Sequence, residues 1–493
     1  MYLNLYHETA RHLMQPGMIE PTGAADGGPG GTLVERVPRA GIQTRPTEPT
    51  VATAGPVRLT AVQGLICTIA AVGFAFDLYE AVVLPVVLRP ALATLGGLKP
   101  GAPGFNLWVG VLFYVPAAVG GALGLLGGYL TDRFGRRRVL VWSTLLYALS
   151  ALAASHAATL AQLLVFRCST IAGVAVEYAA AVAWLAELFT HPKQRESILG
   201  YTQSAVGLGG LMATGAYYLA VIYAERLPEI RGGHDAWRYA LLFGLLPAVP
   251  LLLVRPFLPE SPAWRASRAR GALQRPSVTA LFRPALRQTT VVVTILAACL
   301  YAIAFGVLQQ MPRVVPGIPE LRGLAPRQVE QSVATVQSIG ELGTLVGRIV
   351  FAFLVVHVAS QRQLLRTALV LGMMAFTFVY GYAAMHSLAL LQCGIFLCAL
   401  LMNIPMSLLW NYLPKVYPTH LRGTGESFAF NVGGRVLGTW AVVATTLIAS
   451  VIPTAAPARQ VAYAATVVVI AAYSTALFAV RWMRDPESEA LPE

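Results

Sequence analysis

Gly128-Tyr-Leu-Thr-Asp132-Arg-Phe-Gly135-Arg-Arg-Arg138 separates two long apolar runs. From Asp132 to Arg138 every residue except Phe134 is charged or is glycine, so this stretch cannot lie in hydrocarbon. It reads as a tight, basic turn between two membrane-spanning helices. Outward from it, apolar segments long enough to cross ~30 Å at ~1.5 Å per residue recur about twelve times. They fall near 60–88, 105–130, 138–156, 159–188, 198–223, 237–256, 288–311, 330–355, 364–384, 388–411, 426–451 and 460–481.

The bulk composition agrees. Of 493 residues 56% are hydrophobic and 12% charged, more apolar surface than a soluble domain of this length can hide. The net charge of +13 does not mark a nucleic-acid partner, because the arginines cluster in short loops between apolar runs. Those loops follow even-numbered spans: Arg133, Arg136, Arg137 and Arg138, then Lys193 and Arg195, then Arg362 and Arg366, then Lys415 and Arg422. Both termini are therefore expected in the cytoplasm, and the chain in the inner (plasma) membrane. Cys67, Cys168, Cys299, Cys393 and Cys398 all lie in apolar runs without metal-ligand spacing, so they read as core residues, and no metal or cofactor is expected.

The chain divides at a polar, basic stretch with Pro259, Pro262 and Pro276. The expected organisation is a disordered cytoplasmic tail over 1–58, a six-helix bundle over 59–256, a basic cytoplasmic linker over 257–287, a second six-helix bundle over 288–481 and a cytoplasmic tail over 482–493. The halves carry a weak repeat. Glu187-Leu-Phe-Thr-His-Pro192-Lys-Gln-Arg195 closes span four, and Lys415-Val-Tyr-Pro418-Thr-His-Leu-Arg422 closes span ten. The opening turn has a decayed counterpart at His357–Gln363, which lacks its acid and its glycine.

Gly128-x-x-x-Asp132-Arg133-x-Gly135-Arg136-Arg137 resembles the signature loop of the major facilitator superfamily of secondary transporters. Arg167, Gly173 and Glu177-Tyr178 resemble a span-four pattern of its organic-acid and sugar transporters. Trp237-Arg238, Pro259-Glu260-Ser261-Pro262, and Tyr412-Leu-Pro414-Lys415-Val-Tyr-Pro418 with Arg422-Gly423-Thr424 resemble the same subset. The resemblance covers residues 59–481. It implies an all-α membrane protein, twelve transmembrane helices in two pseudo-symmetric six-helix bundles, that is no enzyme and works by alternating access around a midplane site. It also implies a conformational role for the loop, with Gly128 allowing close helix approach. Asp132 would accept from the start of span eleven, and Arg133, Gly135 and Arg136 would help latch the halves. Arg195 and Arg422 stand at the equivalent cytoplasmic ends.

Charges within the spans are the candidates for chemistry, since each costs roughly 2.5–3.5 kcal/mol to insert at the bilayer centre. Asp77 and Glu80 share the middle of span one at i, i+3, near one face. Two such carboxylates cannot both ionise cheaply there, so one is expected to hold a coupling proton, with Asp77 preferred. The alternative is that one of them pairs with an arginine of span four or eleven. Arg167 and Glu177 stand about 15 Å apart along span four and do not pair with each other. Arg167 is a candidate for a substrate anion or for an acid of span one, and Glu177 for a gate. Asn431 and Arg435 share a face of span eleven, and Arg435, beside Gly433 and Gly434, is the preferred holder of an anionic substrate through its bidentate fork. Glu341 and Arg348 lie on one side of span eight and read as a structural or gating pair. Tyr79, Tyr301 and Asn403 are candidate specificity residues.

No Gly-x-x-x-x-Gly-Lys-Ser/Thr loop is present, so an ion gradient is the expected energy source. The reading is a proton symporter for a small organic anion, a mono- or aromatic carboxylate, with protons and the lipid bilayer as its other partners and one chain as the functional unit. A sugar or polyol carrier, a drug-type exporter and, in another class, a non-transporting membrane sensor are the alternatives.

Overall fold

The computed structural model describes residues 59–102, 104–189, 198, 201–202, 205–246, 248–269, 278–357, 360–417, 421–454 and 456–483. Helix α1 (Ala61–Gly96) starts on a capping box in which Thr60 and Gln63 exchange side-chain bonds with each other's amides. It ends at Gly97, whose φ of 60° is a left-handed stop. Its 36 residues make about 54 Å of helix, longer than the apolar core of a bilayer. Helices α2 (Phe105–Phe134) and α3 (Arg136–Ser155) are separated by Gly135 alone, at φ 94°. This is the basic turn, and a positive φ there is what lets one residue reverse the chain.

Helix α4 (Leu160–Leu188) is capped by Thr159, α5 is Val206–Tyr223, and the sixth span, α6, runs over Ala236–Phe257. The second half holds α7 (Pro284–Gly306), α8 (Pro326–His357), α9 (Gln361–His386), α10 (Leu388–Val416), α11 (Thr424–Val451) and α12 (Pro457–Ala479). Beyond Gly306, α7 breaks into short turns at Pro312 and Pro316. Pro405, by contrast, sits inside the continuous α10. Eleven of these helices are long and apolar enough to cross a membrane. With α8, long enough but carrying Glu330, Glu341 and Arg348, they make twelve. Between the halves, a short helix, Pro262–Ala269, occupies part of the connection read as a linker.

Small residues set the packing, as expected where lipid removes the hydrophobic drive between helices. A Cβ on Gly173 of α4 would meet the Ser143 carbonyl of α3 at 2.9 Å, and one on Gly434 of α11 would meet the Tyr301 ring of α7 at 2.8 Å. Two further contacts join the halves. On α2, Gly124 lies so close to Asn431 of α11 that a Cβ would come within 2.7 Å of its Oδ1. On α5, Gly210 lies against the Glu341 carboxylate of α8, where any Cβ would overlap it.

The two ends of the molecule differ. At the end away from the basic turn, Arg89 of α1 pairs with Glu330 of α8, and Tyr217 of α5 donates to the other Glu330 oxygen at 2.8 Å. Arg313 donates to Asn106 of α2 at 2.5 Å, and Arg327 of α8 donates to the Ile222 carbonyl of α5. Between the halves runs a cavity of about 1630 Å³, from Leu112, Leu308 and Gln309 at its closed end to Arg133, Arg138 and Arg268 at the basic end, where it opens.

Candidate functional site

Asp77 and Glu80 leave α1 in different directions. Asp77 lines the cavity, its Oδ2 has no hydrogen-bond partner, and it makes no ion pair with any described residue. Glu80 turns into the first bundle, where its Oε2 accepts from Arg167 at 2.9 Å and its backbone carbonyl accepts a second bond from the same guanidinium. Both partners are 1% exposed. Gly244 of α6 makes the room, since a Cβ there would overlap Glu80. Arg167 is thus neutralised by an acid of span one. Tyr79 also faces inward, 1% exposed, and donates to the Ala240 carbonyl of α6, so it does not line the cavity. That corrects its expected place in the binding surface.

Glu177 is not at a gate between the halves. It forms a buried ion pair with Arg255 at the end of α6 at 2.6 Å, and Thr144 of α3 donates to its other oxygen at 2.9 Å. Arg255 was not singled out from sequence, because it sits at the edge of an apolar run where a basic residue reads as a topology signal. Gly73 of α1 leaves space for it: a Cβ there would meet the guanidinium at 2.7 Å.

The basic turn is tied to its own half. Arg136 pairs with Glu187 of α4 at 2.7 Å. Glu260 accepts from the Arg136 and Arg137 amides at 3.0 and 3.2 Å, placing a carboxylate at the N-terminus of α3, and Gly135 packs against it. Arg133 is exposed at the cavity mouth. Arg195 lies outside the described residues, as do the surroundings of Gly128 and the side chains of Asp132 and Arg422.

Arg435, Asn431, Tyr301 and Asn403 all line the cavity. Arg435 has no hydrogen bond or ion pair with any described residue. Asn431 donates to Ser427 at 3.1 Å, and Asn403 donates to the Ala399 carbonyl on its own helix at 2.9 Å. Glu341 and Arg348 also line the cavity, but they do not pair. Glu341 accepts only from Gln337, at 3.4 Å, and Arg348 Nε has no partner.

One wall of the cavity is aromatic. Trp410 and Phe430 stack at 3.6 Å with 12° between their planes, and Tyr301 stands 6.3 Å from Phe430 and 5.5 Å from Phe305. Phe430 escaped sequence reasoning for a geometric reason. In an α-helix it would point about 140° away from Arg435. Phe428–Gly438 is instead π-helical, and its i→i+5 ladder stacks residues five apart, so Phe430 and Arg435 share a face.

A sequence profile described as Major Facilitator Superfamily matches residues 65–441. The probable 4-methylmuconolactone transporter of Cupriavidus pinatubonensis is 27% identical over 373 residues, covering 75% of this chain and 80% of that protein. The 4-hydroxybenzoate transporter PcaK of Pseudomonas aeruginosa is 27% identical over 345 residues, covering 66% and 75%. Among solved structures, a D-xylose–proton symporter superposes with a TM-score of 0.67 at 18% identity, covering 86% of this chain and 99% of that one. Twelve long helices among the described residues, in two halves with a cavity between them, together with these matches, place the chain in the Major Facilitator Superfamily: it is a multi-pass membrane transporter, not an enzyme.

Proposed function

We propose that the protein is a proton-coupled symporter of small planar carboxylates, aromatic or conjugated. The observation that carries this reading is the pairing of Arg435, a guanidinium with no ion pair among the described residues, with the Trp410–Phe430 stack on one cavity wall. Arg435 offers a carboxylate a bidentate fork, and the rings offer a planar body a stacking face. Arg348, whose Nε has no partner and which makes no ion pair with a described residue, adds positive charge to the same space. The names of the relatives, which carry 4-hydroxybenzoate and 4-methylmuconolactone, lean the same way.

Coupling is assigned to Asp77. It is the cavity-facing acid of span one, its Oδ2 has no hydrogen-bond partner, and it makes no ion pair with a described residue, although the Arg255 and Arg435 guanidinium groups lie within electrostatic reach, so it is the acid of that span free to take a proton. Glu80, held by Arg167, fixes α1 against α4 instead. The positive-inside pattern of the basic turn supports a cytoplasmic open end to the cavity, with both termini on that side of the inner (plasma) membrane. The cavity is enclosed by one chain, so the unit of transport is the monomer. Residues 59–256 and 288–481 act as the two rocking bodies, 257–287 as their connection, and 1–58 and 482–493 as tails. The turn at Gly128–Arg138, with Arg195 and Arg422, closes the cytoplasmic side in the opposite state.

Uptake of labelled 4-hydroxybenzoate, benzoate, lactate and arabinose into proteoliposomes under an imposed proton gradient tests this. The expected result is gradient-driven accumulation of the aromatic acids that Asp77→Asn abolishes. Accumulation of arabinose alone, or aromatic-acid uptake indifferent to the gradient, would overturn it.

A further inference from the structure

The buried acids of the described residues are Asp77, Glu80, Glu177, Glu260 and Glu341. Their partners sort them into two kinds. Glu80 is held by Arg167, Glu177 by Arg255, and Glu260 accepts the amides at the start of α3. These three have their charge compensated. Asp77 and Glu341 do not, for neither has an ion pair with a described residue, and both line the cavity. One belongs to each half of the molecule. We propose that Glu341 is a second proton-carrying residue, the counterpart of Asp77 in the second half, so that each half loads and releases a proton during the cycle.

The surroundings of Glu341 support this. It is 5% exposed and takes one hydrogen bond, from neutral Gln337 on its own helix at 3.4 Å. Of the charged groups on the packed helices, Arg348, two turns further along α8 and about 10 Å away along the axis, is within electrostatic reach of Glu341 without forming an ion pair with it, and the others, Asp77 excepted, are engaged. On α5, Tyr217 donates to Glu330. On α1, Arg89 pairs with Glu330, Glu80 with Arg167, and Asp77 makes no ion pair with a described residue. On α10, the neighbouring positions are Ile395, Phe396 and Leu400, which pack against Gly340, Gly343 and Gly347 of α8. An ionised carboxylate in such a place is expensive, and a proton removes the cost.

The position of Glu341 also ties its charge to motion. Its Oε2 lies directly on Gly210 of α5, and the α5–α8 contact is one of those joining the halves. Rocking of the halves moves α5 relative to α8, which changes how deeply the carboxyl group is buried. A group whose hydration differs between two states binds its proton with different affinity in each, which is the requirement for coupling. Gly210 permits this arrangement because no side chain separates the carboxylate from the moving surface.

The inference extends the proton-coupled reading, and a spectroscopic titration of the full-length protein in phosphatidylcholine vesicles separates the two. Infrared difference spectra through neutrality are expected to show two deuterium-sensitive carbonyl bands of protonated carboxyl groups. Glu341→Gln should remove one and Asp77→Asn the other, while Glu341→Asp should restore a shifted band. A Glu341→Gln spectrum that superimposes on the wild type overturns the proposal. Loss of a band in Glu341→Gln but none in Asp77→Asn would leave a single carrier and overturn the two-proton proposal. With 4-hydroxybenzoate as the probe and no membrane potential, accumulation per unit of pH difference should fall from about a hundredfold to about tenfold in Glu341→Gln. An undiminished ratio there also overturns it, and if the wild type does not carry this probe the spectra decide.

Discussion

Arg435 and Arg167 are both arginines in the interior of a span, yet they are differently occupied. Arg167 is 1% exposed and bonded to Glu80, whereas Arg435 faces the cavity with no described partner. Replacing them should therefore have different consequences. Arg435→Lys keeps the charge but loses the fork, and should raise the KM for a carboxylate by roughly tenfold while leaving thermal stability near that of the wild type. Equal KM values would remove Arg435 from the substrate site. Glu80→Gln strands a buried guanidinium and should cost about 3–5 kcal/mol. The double change Glu80→Gln/Arg167→Met should recover much of that in thermal unfolding, and a double variant no more stable than the single would show that the pair is not what holds α1 to α4. Sequence placed these residues in the membrane but could not pair them. Asp77 and Glu80 are about 60° apart around α1, close enough to read as one face and far enough for one to see the cavity and the other α4. Arg255 was hidden because its partner, Glu177, is 78 positions away.

At the scale of the helix, the spans were legible because a bilayer demands a long apolar run for each crossing, and only α8 departs from that rule. The departure is itself informative, since its acids and arginine face the cavity and the closed end. What could not be read was the π-helical part of α11, because hydropathy does not distinguish one helical ladder from another. Nor could partners be assigned to the glycines of α2 and α5, which announce close packing without saying against what. Gly124 belongs to the contact between α2 and α11. Gly124→Val would press into Asn431 and should cost about 1–3 kcal/mol in the state described here, slowing uptake. Thermal unfolding and transport rates measured together check this, and wild-type values in both would mean that the α2–α11 contact yields freely.

The whole molecule is held shut at one end by a handful of polar contacts and open at the other. Glu330 is the centre of the closed end, because it takes both Arg89 and Tyr217 from the opposite half. Glu330→Gln should shift the population toward the state open at that end by about tenfold, read as a longer spin-label distance between the neighbouring ends of α1 and α8. An unchanged distance distribution would mean that Arg313–Asn106 and Arg327–Ile222 suffice. The two halves were expected from the basic divider and the weak repeat, and a site between them from the family resemblance, but which end is closed was not legible, because it depends on side chains from distant helices meeting.

The cavity mouth is ringed by Arg133, Arg138 and Arg268, with Glu426 among its lining residues. A cleft of one predominant sign raises the local concentration of oppositely charged solutes above that of the bulk. For an importer of anions this makes the exit a reservoir. Product that has just left is recaptured more often than free diffusion would allow, and the net rate falls as the cell fills. On the proposed reading, with this end in the cytoplasm and an anion as cargo, the ring would act as a brake on inward flux, strongest at low ionic strength and relaxed as salt screens it.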